Sequence, residues 1–533
     1  MFWGDTHNHT SVSFDVYLFG TPNATPDIAY RFAKGERVIN PSTGTPWQLS
    51  RPLDFLVVAD HAELLGAMPR LFVGEDPDLA GTKTGRAMLE MAPDRTEEQL
   101  QEVYDAINYV ASNQPNALGV TPEELLRDLH AGDKRTGAWE GQIEAAERHN
   151  EPGVFTALIG FEWSSNTNGA NLHRVVFQAE GGEVARQYIP YSYLESDDPE
   201  DLWSWLDTTG ERTGATFVAI PHNPNISLGM FFPLIRHNGE RVDEAYAKER
   251  MRWEPVVETT QIKGDSESHP ALSPNDGFAD CEVYDFALTP DGTRPEPTEA
   301  DYVRSGLKRG IELGSSVGVN PYKVGMIGST DSHTGIAAVE EDNFAGKGQH
   351  DNNPEKRSHP TGLGSSKGWD MAAAGYARGV PMGGDLELAP GEAPTFLAAV
   401  MKDPEGANLD RVQIIKGWVD ADGRSHEWIY DVAVSGGRTI RDDGRCREPV
   451  GNTVDLGTGR YTNTIGAAEL SVAWTDPDFD PQQPAFYYVR ALEIPTPRYS
   501  LLDALALGID WTETNRPPTI QERVYSSPIW YTP

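Results

Sequence analysis

A chain of 533 residues can bury a large core and divide into more than one domain. Hydrophobic residues make up 38% and charged residues 23%, as in soluble globular proteins, but the formal net charge of −37 repels nucleic acid and anionic membranes, so neither is expected as a partner. Two cysteines, Cys281 and Cys446, exclude a disulfide scaffold and a thiolate zinc knuckle.

Five short apolar runs end on residues that bind metals. Met1-Phe2-Trp3 leads through Gly4 to Asp5-Thr6-His7, and Leu53 to Val58 leads to Ala59-Asp60-His61. Val154 to Ile159 leads to Gly160-Phe161-Glu162, Thr216 to Ile220 leads to Pro221-His222-Asn223, and Val324 to Ile327 leads to Asp331-Ser332-His333. Continuous apolar runs of this length predict strands buried on both faces, as in parallel sheets. Between them, Leu100, Val103, Tyr104, Ile107 and Val110 share one face of a helix over Glu97 to Ser112, and Trp139 to His149 is helical in composition. Strand–helix alternation with ligands at strand ends predicts an α/β barrel or a doubly wound sheet. Gly35 to Arg51 and Pro224 to Arg252 read as long rim loops, and Gly346 to Gly368 as a mobile polar loop.

From about Gly379 the texture changes. Asp410 to Val419 and His426 to Val434 flank Asp420-Ala421-Asp422-Gly423 as a β-hairpin, with further strands at Glu469 to Trp474 and Ala485 to Ile494. Two domains are expected, a metal-binding barrel over 1–378 and a β-rich module over 379–533. No apolar stretch is long enough to span a bilayer, and no signal peptide precedes the first strand. A strand starting on Met1 predicts a trimmed mature domain, soluble, with exported, periplasmic and cytoplasmic locations all open.

The pair His7-x-His9 places two imidazoles on one side of a strand. Six of the 13 histidines (His7, His9, His61, His173, His222 and His333) lie at or near apolar runs, with Asp15, Glu162 and Asp331 in comparable places. A carboxylate can bridge two ions, so nitrogen and oxygen ligands in this number predict a multinuclear site of two to three divalent transition metals (Zn, Mn or Fe). Asp60 is expected to orient a ligand rather than bind metal. Arg174 and Lys263 suit an anionic substrate group, although a structural salt bridge explains each equally well. Trp203 and Trp205 are expected in the core.

The series His7-x-His9, Asp15, His61, Glu162, His173, His222 and Asp331-x-His333 resembles the polymerase-and-histidinol-phosphatase (PHP) superfamily. Within it the chain resembles the DUF3604 family. That likeness is carried by Phe2-Trp3-Gly4-Asp5-Thr6-His7, by Arg51 to Glu63, by Gly328-Ser329-Thr330-Asp331-Ser332-His333, by Gly379 to Asp385 and by Ser527-Pro528-Ile529-Trp530-Tyr531. The resemblance implies a PHP-like distorted (β/α)7 barrel and hydrolysis of phosphoesters (mono-, di- or triesters, with phosphonate or sulfate esters as variants). Asp331, Glu162 and His333 would stand at the reacting centre, and the substrate would be a small anionic ester. By analogy, His7, His9, Glu162 and Asp331 hold one metal; Glu162 bridges to a second on His173 and His222; Asp15, His61 and His333 hold a third. A helix and strand rich in Thr, Gly and Arg, which follow the Asp-x-His motif in that family, are missing between Asp331 and Trp369, either lost or left out of this sequence.

Cations lower the pKa of coordinated water from about 16 towards 7, and so supply hydroxide for such a reaction at neutral pH. Two other readings stand beside this one. Amidohydrolases, which cleave C–N or C–O bonds, also open with His-x-His at a strand end, but they carry a lysine carbamate and a lone terminal aspartate. The other alternative is a non-catalytic binding protein stabilised by its metals.

Overall fold

A computed structural model describes residues 3–74, 76–111, 116–129, 135–284, 295–357, 380–388, 392–514 and 516–533. The N-terminal part is mixed α/β. Its main sheet holds five strands in the order β1 (Gly4–Asn8), β2 (Phe55–Val58), β3 (Thr156–Trp163), β4 (Arg174–Gln178) and β5 (Phe217–Pro221). A second sheet pairs β6 (Val256–Gln261) parallel with β7 (Gly325–Gly328), and the two-residue strand Gly264–Asp265 turns back on β6. Single bridges join the sheets at both edges, His222 to Glu258 on one side and Asn8 to Ser332 on the other. The curved five-stranded sheet thus forms half of a barrel, with β6 and β7 lying across its open side.

Burial on both faces explains why these strands read as unbroken apolar runs. On β2, Leu56 and Val58 pack outward against helices, while Val57 points inward to meet Val175, Ile220, Val256 and Ile327. The outer layer is α1 (Pro26–Ala33), α2 (Arg135–His149) and α3 (Pro199–Thr213), which contribute Tyr30, Trp139, Ile143, Leu202 and Trp203 to that core; Trp205 packs against it half-buried. Local chemistry sets the helix ends. The Thr25 and Asp198 side chains accept from Ile28 N and Glu200 N ahead of prolines in the first turn, and Gly214 closes α3 at φ +81°.

Several expectations need correction. The first strand begins at Gly4 rather than Met1, and Met1 and Phe2 lie outside the described residues. Glu162 sits inside its strand instead of after it. The sheet is not wholly parallel, because β4 runs antiparallel to both β3 and β5. Residues 164–173 hold only one short 3-10 turn, too little chain for the crossover that a parallel neighbour needs. The connection from Gly35 carries a small strand pair, Val38–Ile39 with Pro46–Trp47, and the one after Pro224 carries α4 (Glu244–Trp253). Helices between Ala67 and Leu129 pack around Met68, Phe72, Met88, Val103 and Ile107; of these the sequence predicts only the one over Glu97 to Ser112, which is described as Glu97–Ala111. Of the polar loop from Gly346, residues 346–357 hold short helical turns, and the remainder lies outside the described residues.

The C-terminal hairpin forms as expected. β9 (Leu409–Val419) pairs antiparallel with β10 (Ser425–Val434) and with β12 (Ala485–Glu493), while β8 (Thr395–Met401) pairs with β11 (Glu469–Thr475). Helix α5 (Val303–Val317) packs Val303, Leu307 and Ile311 against Ile415, Phe486 and Trp530. Among the described residues, no helix is long and apolar enough to cross a membrane.

Candidate metal centre

All nine predicted ligands converge where β1, β2, β3, β5 and β7 end and β4 begins, with Asp15 brought in from a short helix, and all are buried. His7 lies on β1 and His9 one residue beyond it, with their Nε2 atoms 3.0 Å apart. Glu162 is the hub. Its Oε2 lies 3.0 Å from His9 Nε2, 3.2 Å from His61 Nδ1 and 3.5 Å from His7 Nε2. Its Oε1 lies 2.6 Å from His173 Nδ1 and 3.0 Å from His222 Nε2. Asp331 Oδ1 stands 3.4 Å from His7 Nε2 and 3.5 Å from His9 Nε2. Asp15 Oδ2, from the short helix Phe14–Leu18, lies 2.8 Å from His333 Nε2 and 3.1 Å from His61 Nε2.

The donor set fits metal ions. Neither oxygen of Glu162 makes a well-formed hydrogen bond despite five imidazoles around it, and His222 lacks one at both ring nitrogens. Burying polar groups without partners is costly, and a cation between them removes the cost. Three trios place their ligand atoms within 4.8 Å of one another: His7, His9 and Asp331; His7, Glu162 and His222; and His9, His61 and His333. Buried groupings of this kind can hold metal ions.

Supporting contacts aim the rings. His7 Nδ1 lies 3.1 Å from Glu258 Oε2, His9 Nδ1 lies 3.0 Å from Ser13 Oγ and His173 Nε2 lies 3.1 Å from Asn166 Oδ1; in each case the other nitrogen faces the cluster. Asp60 spends its oxygens on Thr10 N, Thr10 Oγ1 and Ser13 Oγ rather than on the cluster. Asp5 accepts from His7 N and from Thr330 N and Oγ1, tying the β7 loop to β1. That loop carries Asp331 at φ +54°, a left-handed conformation uncommon for a non-glycine residue, and Asp331 N donates to His7 O at 2.8 Å.

The electrostatics divide the imidazoles. Burial opposes charge on His7 and His61, but the carboxylates of Asp331 and Glu258 around His7 raise it well above the usual range, and those of Glu162 and Asp15 bring His61 to about 9. Burial keeps His9, His222 and His333 below the usual value and takes His173 down to about 4. These four are thereby held in the neutral form that ligates metal. Burial works against charge on Glu162, Asp331 and Asp15, yet the surrounding imidazoles, and at Asp331 first the ammonium groups of Lys263 and Lys347, hold all three well below the ordinary carboxylate range.

The two substrate-clamp candidates part company. Lys263 Nζ contacts Asp331 Oδ2 at the centre. Arg174 turns to the opposite face of β4, where its Nε donates to Glu254 Oε1 at 2.9 Å. Sequence reasoning missed Glu258, a carboxylate within β6, and Lys347, whose Nζ lies 3.2 Å from Asp331 Oδ1 and 3.0 Å from His333 Nδ1. A charged residue in Val256-Val257-Glu258-Thr259-Thr260 is a signal for the first. The second, in a glycine-rich stretch, gives none.

Against known families, the chain matches "Protein of unknown function (DUF3604)" over residues 1–373 and 362–533. The chain belongs to the DUF3604 family. No curated protein and no solved structure matches it. The buried cluster of imidazoles and carboxylates is therefore that of a DUF3604 member.

Proposed function

We propose that this DUF3604 protein is a metal-dependent hydrolase of phosphoesters built on a PHP-like distorted (β/α)7 barrel. The observation that carries the reading is the convergence of nine buried imidazoles and carboxylates, among them Glu162, whose oxygens lack well-formed hydrogen bonds. The barrel reading is supported by seven strands in cyclic order, with the seams at Asn8–Ser332 and His222–Glu258 bridged by single pairs. With it goes a division into a barrel over 1–378 and a β-rich module over 379–533.

On this reading His7, His9, Glu162 and Asp331 would hold one cation, Glu162, His173 and His222 a second, and Asp15, His61 and His333 a third. Nitrogen and oxygen donors without thiolate suit Zn, Mn or Fe. Such cations, when bound, polarise a phosphoryl oxygen and generate hydroxide near neutral pH. The chain supplies the rest. Glu162 and Asp331 supply negative charge among the imidazoles, Asp15 pairs with His333, and Glu258 and Ser13 hold the rings of His7 and His9. The small anionic ester is the expected substrate.

Elemental analysis of protein purified without chelator and loaded with Zn, Mn or Fe should find about two to three equivalents per chain, the number that this ligand count serves. Less than about one would remove the cluster. A panel of phosphate mono-, di- and triesters, phosphonates and sulfate esters should show turnover that chelator abolishes and metal restores. Turnover confined to amides, lactams or carboxylic esters would favour amidohydrolase-like chemistry, and a loaded but inert protein would favour a binding role.

A further inference from the structure

Two ammonium groups stand where a metal cluster should repel them. Lys263 and Lys347 are both buried, and they approach Asp331 from opposite sides: Lys263 Nζ on Oδ2, and Lys347 Nζ 3.2 Å from Oδ1. Each backbone is pinned. Lys263 occupies the tight turn between β6 and Gly264–Asp265, its N–H donating to Gln261 Oε1 at 2.9 Å and its carbonyl accepting from Asn225 Nδ2 at 3.0 Å. Gly264 continues that turn at φ +96°, where a Cβ would fall 2.6 Å from Glu282 O. Lys347 O accepts from His333 N at 2.7 Å. The two amines are thus delivered by separate, fixed segments to one carboxylate.

Charge balance says what they await. Both ammonium groups make their carboxylate contact with Asp331, itself a candidate metal ligand, so a cation that takes this carboxylate leaves two buried ammonium groups sharing one negative charge. A buried excess of positive charge is unfavourable unless an anion enters with the cations. A neutral amide or triester cannot supply that charge, and a diester supplies one negative charge where two are wanted. We propose that Lys263 and Lys347 form a two-ammonium grip that selects a dianionic phosphoryl end group, making the preferred substrate a phosphate monoester. The inference rests on the hydrolase reading above and narrows its substrate class.

The test is binding of inorganic phosphate to metal-loaded protein by titration calorimetry, with dimethyl phosphate as the monoanionic control and metal content measured on every sample. Lys263→Met and Lys347→Met should each weaken phosphate binding by about 10- to 100-fold, the worth of one charge-assisted hydrogen bond. They should leave metal content unchanged and dimethyl phosphate less affected. Lys→Arg at either position should recover part of the loss. Undiminished phosphate affinity in the loaded Met variants would overturn the grip, and so would loss of the metals with the lysines, which would make the amines structural. If the loaded wild type hydrolyses esters yet does not prefer phosphate over dimethyl phosphate, the grip fails and the hydrolase stands. If it binds neither anion and turns over no ester, the hydrolase reading itself falls.

Discussion

Exchange of Glu162 for Gln is expected to strip most of the bound metal and to lower kcat/KM towards any ester the protein hydrolyses by on the order of a thousandfold or more. The estimate starts from the residues around the ligands: losing a carboxylate that merely orients a ligating histidine costs about 10- to 100-fold in metal affinity or activity. Glu258, 3.1 Å from His7 Nδ1, is such a residue here, and Glu258→Gln should fall in that range. Glu162 stands one step further in. Burial penalises its charge, yet His61, His173 and His222 hold it well below the ordinary carboxylate range, and its oxygens touch five imidazoles from four chain segments. Glutamine would keep the shape and remove the charge that those groups, or the cations between them, require. Circular dichroism should report a folded protein, because the apolar core around Val57 and Ile220 does not include Glu162. A Glu162→Gln protein that keeps both metal and turnover would end the assignment of Glu162 as the hub.

One rule of strand geometry accounts for both the success and the failure of the sequence reading. Side chains alternate across a strand. The rule made His7-x-His9 legible as a pair facing one way, and their Nε2 atoms do meet. The same rule, applied at His173-Arg174, would have warned that the arginine must face away if the histidine faces the cluster; Arg174 instead joins Glu254 beneath Trp163 and Phe231. β2, β3 and β5 were visible because burial on both faces makes their runs apolar. β6 was not, since the polar residues Glu258, Thr259, Thr260 and Gln261 cut its apolar run short after Val257. The antiparallel turn of β4 was equally hidden: direction depends on the length and path of residues 164–173 rather than on strand composition. Lys347 reaches the site by tertiary placement alone.

Replacing Arg490 with Met, or Asp276 with Asn, is expected to destabilise the protein by about 3–5 kcal/mol, the cost of removing one partner from a buried ion pair. Both side chains are fully buried. Arg490 Nη2 donates to Asp276 Oδ1 at 2.8 Å and Nη1 to Oδ2 at 2.9 Å, while Arg304 Nη2 donates to the same Oδ2 at 2.8 Å. Glu267 completes the cluster, accepting from Arg304, Arg490 and the Tyr488 hydroxyl. Burial disfavours the charge on Asp276, but the two guanidinium groups hold its carboxyl far below the usual range, so either substitution leaves an uncompensated charge where water cannot reach. The network also joins three parts of the chain. Arg490 lies on β12, Arg304 on the first turn of α5, and Glu267 and Asp276 on the segment that leaves the Lys263 turn. Ser266 N donates to Thr259 O and Val303 N to Ser266 O, so that segment is strapped to β6 on one side and to α5 on the other. Urea unfolding should therefore show the full loss for Arg490→Met. The same variant at low temperature, where it remains folded, should weaken phosphate binding while keeping its metals, because Arg490 anchors the segment that leaves the Lys263 turn and touches none of the nine ligands. A loss below about 1 kcal/mol, the range of an exposed pair, would mean that the arginines are solvated and the coupling absent.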